Sequence, residues 1–133
     1  MNGQKRTDPD SPRPQAGSRE TILLVEDEPA VRKLFAQALT HAGYRVYEAR
    51  NGHEAVQVFD QNAESIDLLL TDMRMPSMGG AELAQHLRAR RASLKLICIS
   101  GYPAGEEDVV DVLAKPFSHD DLLNKVREVL DRG

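Results

Sequence analysis

Residues 68–72 read LLLTD and residues 22–27 read ILLVED, so each is an aliphatic run that ends in a carboxylate. Such uninterrupted runs are typical of strands that are buried on both faces of a parallel sheet. A further run, LICIS, occupies residues 96–100. Three buried strands that are separated by longer, more polar segments favour a parallel sheet covered by helices on both faces.

Helical periodicity fills the intervals between these runs. The first helix is predicted to turn one apolar face to the sheet, formed by Val31, Leu34, Phe35, Ala38, Leu39 and Ala42. Gly43 then stands where a left-handed helix end is needed. Asn51 with Glu54 resembles a capping box before a second helix, and Ser118 is predicted to cap the last helix.

Two further strands complete the pattern. Residues 44–49 are less apolar than the other runs, so we expect a strand near the edge of the sheet, and residues 109–114 contain the last strand. Only about ten residues, from Ser100 to Val109, separate the last two strands, which barely accommodates a crossover helix. We therefore expect a shortened fourth helix.

Composition limits what the chain can be. Its 133 residues suit one domain, its single cysteine excludes a disulfide framework, and its net charge of −4 argues against a nucleic-acid-coating surface. No apolar run approaches the length of a membrane span. Residues 1–20 are rich in Pro, Gly and Ser and predict a flexible tail or linker, whereas residues 21–133 predict the folded domain.

Polar groups follow four of the predicted strands: Glu26 and Asp27, Asp72, Ser100, and Lys115. The carboxyl ends of parallel strands share one edge of the sheet, where ligands bind in open α/β folds. Three carboxylates placed together repel one another unless one is protonated or a cation shares the site. An all-oxygen site of this kind suits Mg²⁺, and a lysine and a hydroxyl beside it suit a phosphoryl group.

Four segments in this order resemble the receiver domain of two-component response regulators over residues 20–133: ILLVEDE at 22–28, LLLTDMRMPSMGG at 68–80, ISGY at 99–102 and AKPF at 114–117. The resemblance implies a flavodoxin-like (βα)₅ fold, doubly wound, with strand order 2-1-3-4-5. It also implies that Asp72 is the phosphoacceptor. The implied Mg²⁺ ligands besides Asp72 are Asp27, Glu26 through a water molecule, and the backbone carbonyl of Arg74.

The resemblance assigns roles at the other strand ends as well. Ser100 matches the switch hydroxyl, and Lys115 matches the lysine that pairs with the phosphate and precedes a cis bond to Pro116. Val112 stands where the family usually has its signalling aromatic residue, which puts the usual coupled switch in doubt. Tyr102 is then either a substitute for that aromatic or a loop residue covering the pocket.

The motifs and their positions at the strand ends predict a phosphorelay domain that takes a phosphoryl group from a phosphohistidine and signals through protein contacts. Its expected partner is a sensor histidine kinase or a histidine phosphotransfer protein, with no direct contact to nucleic acid. We expect a cytoplasmic monomer or weak dimer that is not itself an enzyme, either alone or as a module of a hybrid kinase. Three alternatives remain at this point: a phosphorylation-independent receiver-like module, a metal-dependent phosphohydrolase and a flavodoxin-like cofactor carrier.

Overall fold

The computed structural model describes residues 20–100 and 111–132. In this part of the chain the strands are β1 (Thr21–Val25), β2 (Arg45–Ala49), β3 (Leu68–Asp72), β4 (Lys95–Ser100) and β5 (Val112–Ala114). The helices are α1 (Pro29–His41), α2 (Gly52–Asn62), α3 (Gly80–Arg88) and α4 (His119–Leu130). The expected tail over residues 1–20, except for Glu20, lies outside the described residues, as do the expected shortened helix between Ser100 and Val109 and Tyr102.

The five strands form one parallel sheet in the order β2-β1-β3-β4-β5. This is the predicted order 2-1-3-4-5, and the flavodoxin-like doubly wound fold is confirmed. The least apolar strand, β2, lies at one edge as its composition predicted, whereas β1 and β3 are buried along their whole length. Asp72 therefore ends a central strand, with β1 on one side and β4 on the other.

Alternate residues of the central strands feed two separate cores. On one face, Leu24 and Leu70 pack with Phe35 and Leu39 of α1 and Val126 of α4. The opposite face is built by the intervening strand residues and by α2 and α3, with these buried side chains: Leu23, Val25, Leu69, Phe59, Leu83 and Leu87. The helices thus cover both faces, as expected for strands with near-continuous aliphatic runs.

The first helix departs from its predicted face at one position. Leu34 is 47% exposed, whereas Ala36 is buried together with Phe35 and Leu39. The helix is therefore rotated slightly from the predicted orientation, because it turns Ala36 rather than Leu34 toward the sheet. Gly43 follows the helix with a φ of 106°, a left-handed conformation that glycine adopts without steric cost, as predicted.

Candidate functional site

The acidic residues after β1 and β3 meet at the carboxyl edge of the sheet. One carboxylate oxygen from each of Glu26, Asp27 and Asp72 lies within 4.8 Å of the others. Glu26 is 2% exposed and Asp72 is 7% exposed, whereas Asp27 is open to solvent. The convergence predicted from strand ends is therefore present, with two buried carboxylates and one accessible one.

The backbone around β1 holds Glu26 in place. Its N–H donates to the carbonyl of Ala49 at 3.1 Å, so the residue is tied to the neighbouring strand β2. Its Oε2 accepts the Glu28 N–H at 3.1 Å, while its Oε1 is buried and accepts no hydrogen bond from the described residues. An unsatisfied buried carboxylate oxygen facing two other carboxylates is costly, and a cation would relieve that cost.

Electrostatics lead to the same conclusion. The pKa of Glu26 is raised to about 7: burial is the largest cause and the negative charge of Asp72 adds to it, while the hydrogen bond from the Glu28 N–H acts in the opposite direction. At neutral pH Glu26 is therefore not fully ionised, and a cation in the site would favour its charged form. The donor set is hard, all-oxygen and small, which fits a divalent cation such as Mg²⁺ that retains several waters.

Asp72 is oriented by groups from two directions. Its Oδ1 accepts the backbone N–H of Arg74 at 3.0 Å, and its Oδ2 lies 3.3 Å from the ammonium of Lys115. The Lys115 side chain is 43% exposed, so it brings a positive charge to the mouth of the site rather than to its interior. Arg74 itself is exposed, and its backbone, not its side chain, makes this contact.

Lys115 is positioned by β4 and by the segment that leads into α4. Its backbone N–H donates to the carbonyl of Ser100 at 2.8 Å, which continues the ladder between β4 and β5. The Lys115–Pro116 peptide bond is cis. The ring of Phe117 then packs against Phe35 of α1, with 5.3 Å between ring centroids. The lysine is thus held between a strand end and an aromatic contact.

Ser100 and Val112 occupy neighbouring strands near this edge. Ser100 is 2% exposed at the end of β4, one residue beyond Ile99, which pairs in register with Asp72. Val112 is half-buried at the start of β5, two residues before the strand end, where it pairs with Cys98. The candidate switch hydroxyl therefore lies at the rim, and the position of the missing aromatic lies further down the sheet.

The loop after β3 closes tightly over the strand end. The N–H of Gly80 donates to the carbonyl of Met73 at 3.0 Å. A Cβ at Gly80 would come within 2.6 Å of the Asp72 carbonyl oxygen, closer than any side chain tolerates. Glycine is therefore required here for steric reasons, and its absence of a side chain lets α3 begin directly behind the candidate phosphoacceptor.

Sequence reasoning missed Arg32 and Glu48, which support the acidic pair from outside. Arg32 donates through Nη1 to the carbonyl of Glu26 at 3.0 Å and through Nε to Glu48 Oε1 at 3.2 Å. No local signal marks Arg32, because most residues in the first turns of α1 are exposed and the next residue, Lys33, is also basic. Its partners could not be read from the sequence because they depend on the approach of α1 to β2.

With this geometry established, the comparison with known proteins is decisive. The family model of the response regulator receiver domain matches residues 22–127. The chain belongs to this family. As a receiver domain it has a phosphoryl-acceptor signalling function, which the match favours over the phosphohydrolase and the cofactor carrier. Among the described residues, no helix combines the length and the apolar character needed to cross a bilayer.

Individual relatives show the same likeness. The receiver domain is 37% identical over 116 residues to the response regulator receiver protein CpdR of Brucella abortus, a match that covers 82% of this chain and 95% of CpdR. It is 37% identical over 121 residues to the sensor kinase CckA of the same organism, covering 84% of this chain but only 13% of that kinase. This chain thus spans a small part of CckA and nearly all of CpdR.

A solved structure gives the corresponding comparison in three dimensions. The response regulator protein TrrA of Thermotoga maritima, solved in complex with Mg²⁺-BeF, superimposes with a TM-score of 0.75 at 31% identity. The match covers 83% of this chain and 98% of that one. A relative with the same fold was thus solved with magnesium, and the acidic cluster found here offers the oxygen donors that this cation prefers.

Proposed function

We propose that Asp72 accepts a phosphoryl group from a phosphohistidine in a Mg²⁺-dependent reaction. The observation that carries this proposal is the setting of Asp72: a buried carboxylate at the end of a central strand, with Lys115 at 3.3 Å and two further carboxylates converging on it. The phosphodonor would be a sensor histidine kinase or a histidine phosphotransfer protein, and the output would be a changed affinity for a protein partner.

The reaction needs little from the protein beyond orientation and charge. A carboxylate oxygen of Asp72 attacks phosphorus as the bond from phosphorus to the histidine nitrogen breaks, which leaves an acyl phosphate and a neutral imidazole after proton uptake. No general base is required because the carboxylate is ionised. Phosphorylation adds roughly −1.5 to −2 charges, which Lys115 offsets in part. When bound, Mg²⁺ would supply the remaining charge neutralisation.

Each strand end contributes a defined role in this proposal. Asp27 and Asp72 would hold the cation directly, Glu26 through a water molecule, and Arg74 through its backbone carbonyl. Ser100 would donate its hydroxyl to a phosphoryl oxygen. With Val112 in place of an aromatic residue, the change that follows phosphorylation would be transmitted by Ser100 and by the segment that begins after it, which contains Tyr102.

The proposed unit is a receiver domain over residues 21–133 that acts in the cytoplasm, is not itself an enzyme, and contacts neither nucleic acid nor membrane. Family membership supports the signalling assignment, and the acidic surface of the site supports a cationic cofactor rather than an anionic ligand. The proposed state is a monomer or weak dimer.

The proposal is tested with phosphoramidate, whose phosphorus–nitrogen bond resembles that of phosphohistidine. Incubation with Mg²⁺ should add one phosphoryl group, detected by intact-protein mass spectrometry and removed by hydroxylamine. Asp72→Asn should abolish the label, whereas Asp120→Asn, the same change at an exposed carboxylate of α4, should leave it intact. Undiminished labelling of Asp72→Asn, or labelling that persists after chelation of Mg²⁺, would sink the proposal.

A further inference from the structure

The peptide group between Glu26 and Asp27 decides where two of the three carboxylates point. Because consecutive side chains leave an extended backbone in opposite directions, both can face one cation only if this peptide holds a particular orientation. Its carbonyl oxygen accepts a hydrogen bond from Arg32 Nη1 at 3.0 Å. Arg32 lies in the second turn of α1 and reaches back over the helix start to make this contact.

Arg32 is itself fixed by a second contact. Its Nε lies 3.2 Å from Glu48 Oε1 on β2, and its side chain is only 12% exposed. The planar guanidinium therefore joins α1, the loop after β1 and the edge strand β2 through two separate nitrogen atoms. Because Glu48 already holds the guanidinium through Nε, the group loses little further freedom when Nη1 binds the carbonyl, so it is a rigid support.

The remaining contacts of the loop do not replace this support. The Glu26 N–H is bonded to Ala49, and the Glu28 N–H is bonded to the Glu26 side chain. Both contacts use the N–H of a neighbouring peptide group, Val25–Glu26 or Asp27–Glu28, so neither holds the Glu26 carbonyl. Arg32 alone, among the described contacts, holds the Glu26 carbonyl, so its loss would free the peptide to turn and would move Asp27 relative to Glu26.

We propose that Arg32 is a positioning residue for the cation site, which orients Glu26 and Asp27 toward Asp72 through the intervening peptide without touching the metal. This inference rests on the proposed function, since it concerns the same Mg²⁺ site. Groups that orient metal ligands from outside typically change metal affinity by 10–100-fold when they are removed. One hydrogen bond to a backbone carbonyl places Arg32 at the lower end of that range.

The test is the Mg²⁺ affinity of the folded domain, measured by titration calorimetry and by amide NMR shifts, alongside thermal unfolding without metal. Arg32→Ala should weaken Mg²⁺ binding about tenfold. Arg32→Lys keeps the charge but lacks the two-point fork of the guanidinium, so its Mg²⁺ affinity should lie between those of wild type and Arg32→Ala. Lys33→Ala removes the same charge from an exposed neighbouring position on α1 and should stay within about twofold of wild type.

The outcomes separate the inference from the proposed function. A folded Arg32→Ala variant with wild-type Mg²⁺ affinity would overturn the positioning role, even if its unfolding temperature fell, because the residue would then be merely structural. If Arg32→Ala does not fold, Glu48→Ala decides: it releases Nε only, and a wild-type affinity in both Glu48→Ala and Arg32→Lys would overturn the role equally. If wild type binds no Mg²⁺, both proposals fail together.

Discussion

At the scale of single residues, Gly80 shows how closely the backbone packs behind the candidate phosphoacceptor. A side chain at this position would meet the Asp72 carbonyl oxygen at 2.6 Å and the Met73 Cα at 3.0 Å. Both are backbone atoms of a central strand end, so they cannot move aside as a flexible side chain would. Accommodation therefore requires a shift of α3 or of the loop that follows β3.

We expect Gly80→Ala to lower the free energy of unfolding by about 1–3 kcal/mol, the usual cost of overpacking. The same shift should displace the Arg74 N–H from Asp72 and reduce the rate of phosphorylation. Chemical denaturation and phosphoramidate labelling measure the two effects. Gln85→Ala, on the exposed side of the same helix, should change stability by less than about 0.5 kcal/mol. A Gly80→Ala domain as stable as wild type would contradict the packing argument.

The arginines at and just after the end of α3 make contacts that their positions in the sequence do not reveal. Arg88, Arg90 and Arg91 lie at or just after the end of α3, where the helix dipole favours cations. In the structure Arg88 donates to the Leu94 carbonyl, Arg90 pairs with Asp60, and Arg91 donates to the carbonyls of Ala63 and Ile66. Their hydrogen-bonding groups are used within the domain, because α2, the loop that follows it and the segment before β4 all lie beside them.

At the scale of elements, the strands were predictable because burial on both faces leaves a direct trace in the sequence. β1 and β3 are aliphatic apart from one buried threonine each, Thr21 and Thr71, so the sequence indicated both where these strands lie and where they end. The contact of α1 with β2 through Arg32 and Glu48 was not, since nothing local marks which strand lies beside a helix. The site residues at the strand ends could be predicted from the sequence pattern, whereas the residues that support them could be identified only from the folded structure.

Helix caps illustrate the same limit. The Ser118 cap is confirmed as a full capping box, in which Ser118 Oγ accepts the Asp121 N–H and Asp121 accepts the Ser118 N–H. At α2 the prediction was half right. Asn51 accepts the Glu54 N–H, but the Glu54 carboxylate accepts from the N–H of Arg50 instead of that of Asn51. The extended conformation at Asn51 brings the preceding amide within reach first.

Ser118 tests the contribution of the α4 cap to stability; α4 begins at His119, four residues after Lys115. Ser118→Ala should reduce the free energy of unfolding by about 1 kcal/mol through loss of the cap. Ser118→Asp retains an acceptor at the same place and should preserve most of it. Urea unfolding of both variants gives the measurement. Equal destabilisation by the two substitutions would show that the cap is not the source of the effect.

At the scale of the whole molecule, folding brings mutually repelling carboxylates together at one edge of the sheet, and the surrounding structure holds them there. Two buried carboxylates and one exposed carboxylate face each other, and Lys115 is the cation that reaches Asp72 among the described residues. The whole chain has a net charge of −4, which argues against a nucleic-acid-coating surface. Part of that negative charge belongs to these three carboxylates, whose mutual repulsion a divalent cation would relieve only in the folded state.

Mg²⁺ should therefore stabilise the whole domain against unfolding. A ligand that binds only the folded state adds about 2.7 kcal/mol at a concentration 100 times its Kd, which raises the unfolding temperature by roughly 10 °C for a domain of this size.

Asp27→Asn removes one of the three carboxylates, so its stability should differ from that of wild type both without and with Mg²⁺. Without metal it should be more stable than wild type by up to about 1 kcal/mol, because one repelling charge is gone, and it should lose most of the Mg²⁺ response. Thermal unfolding with and without MgCl₂, at ionic strength matched with NaCl, distinguishes binding from screening. An equal shift with NaCl alone, or a full Mg²⁺ response in Asp27→Asn, would show that the cation does not act at the acidic cluster.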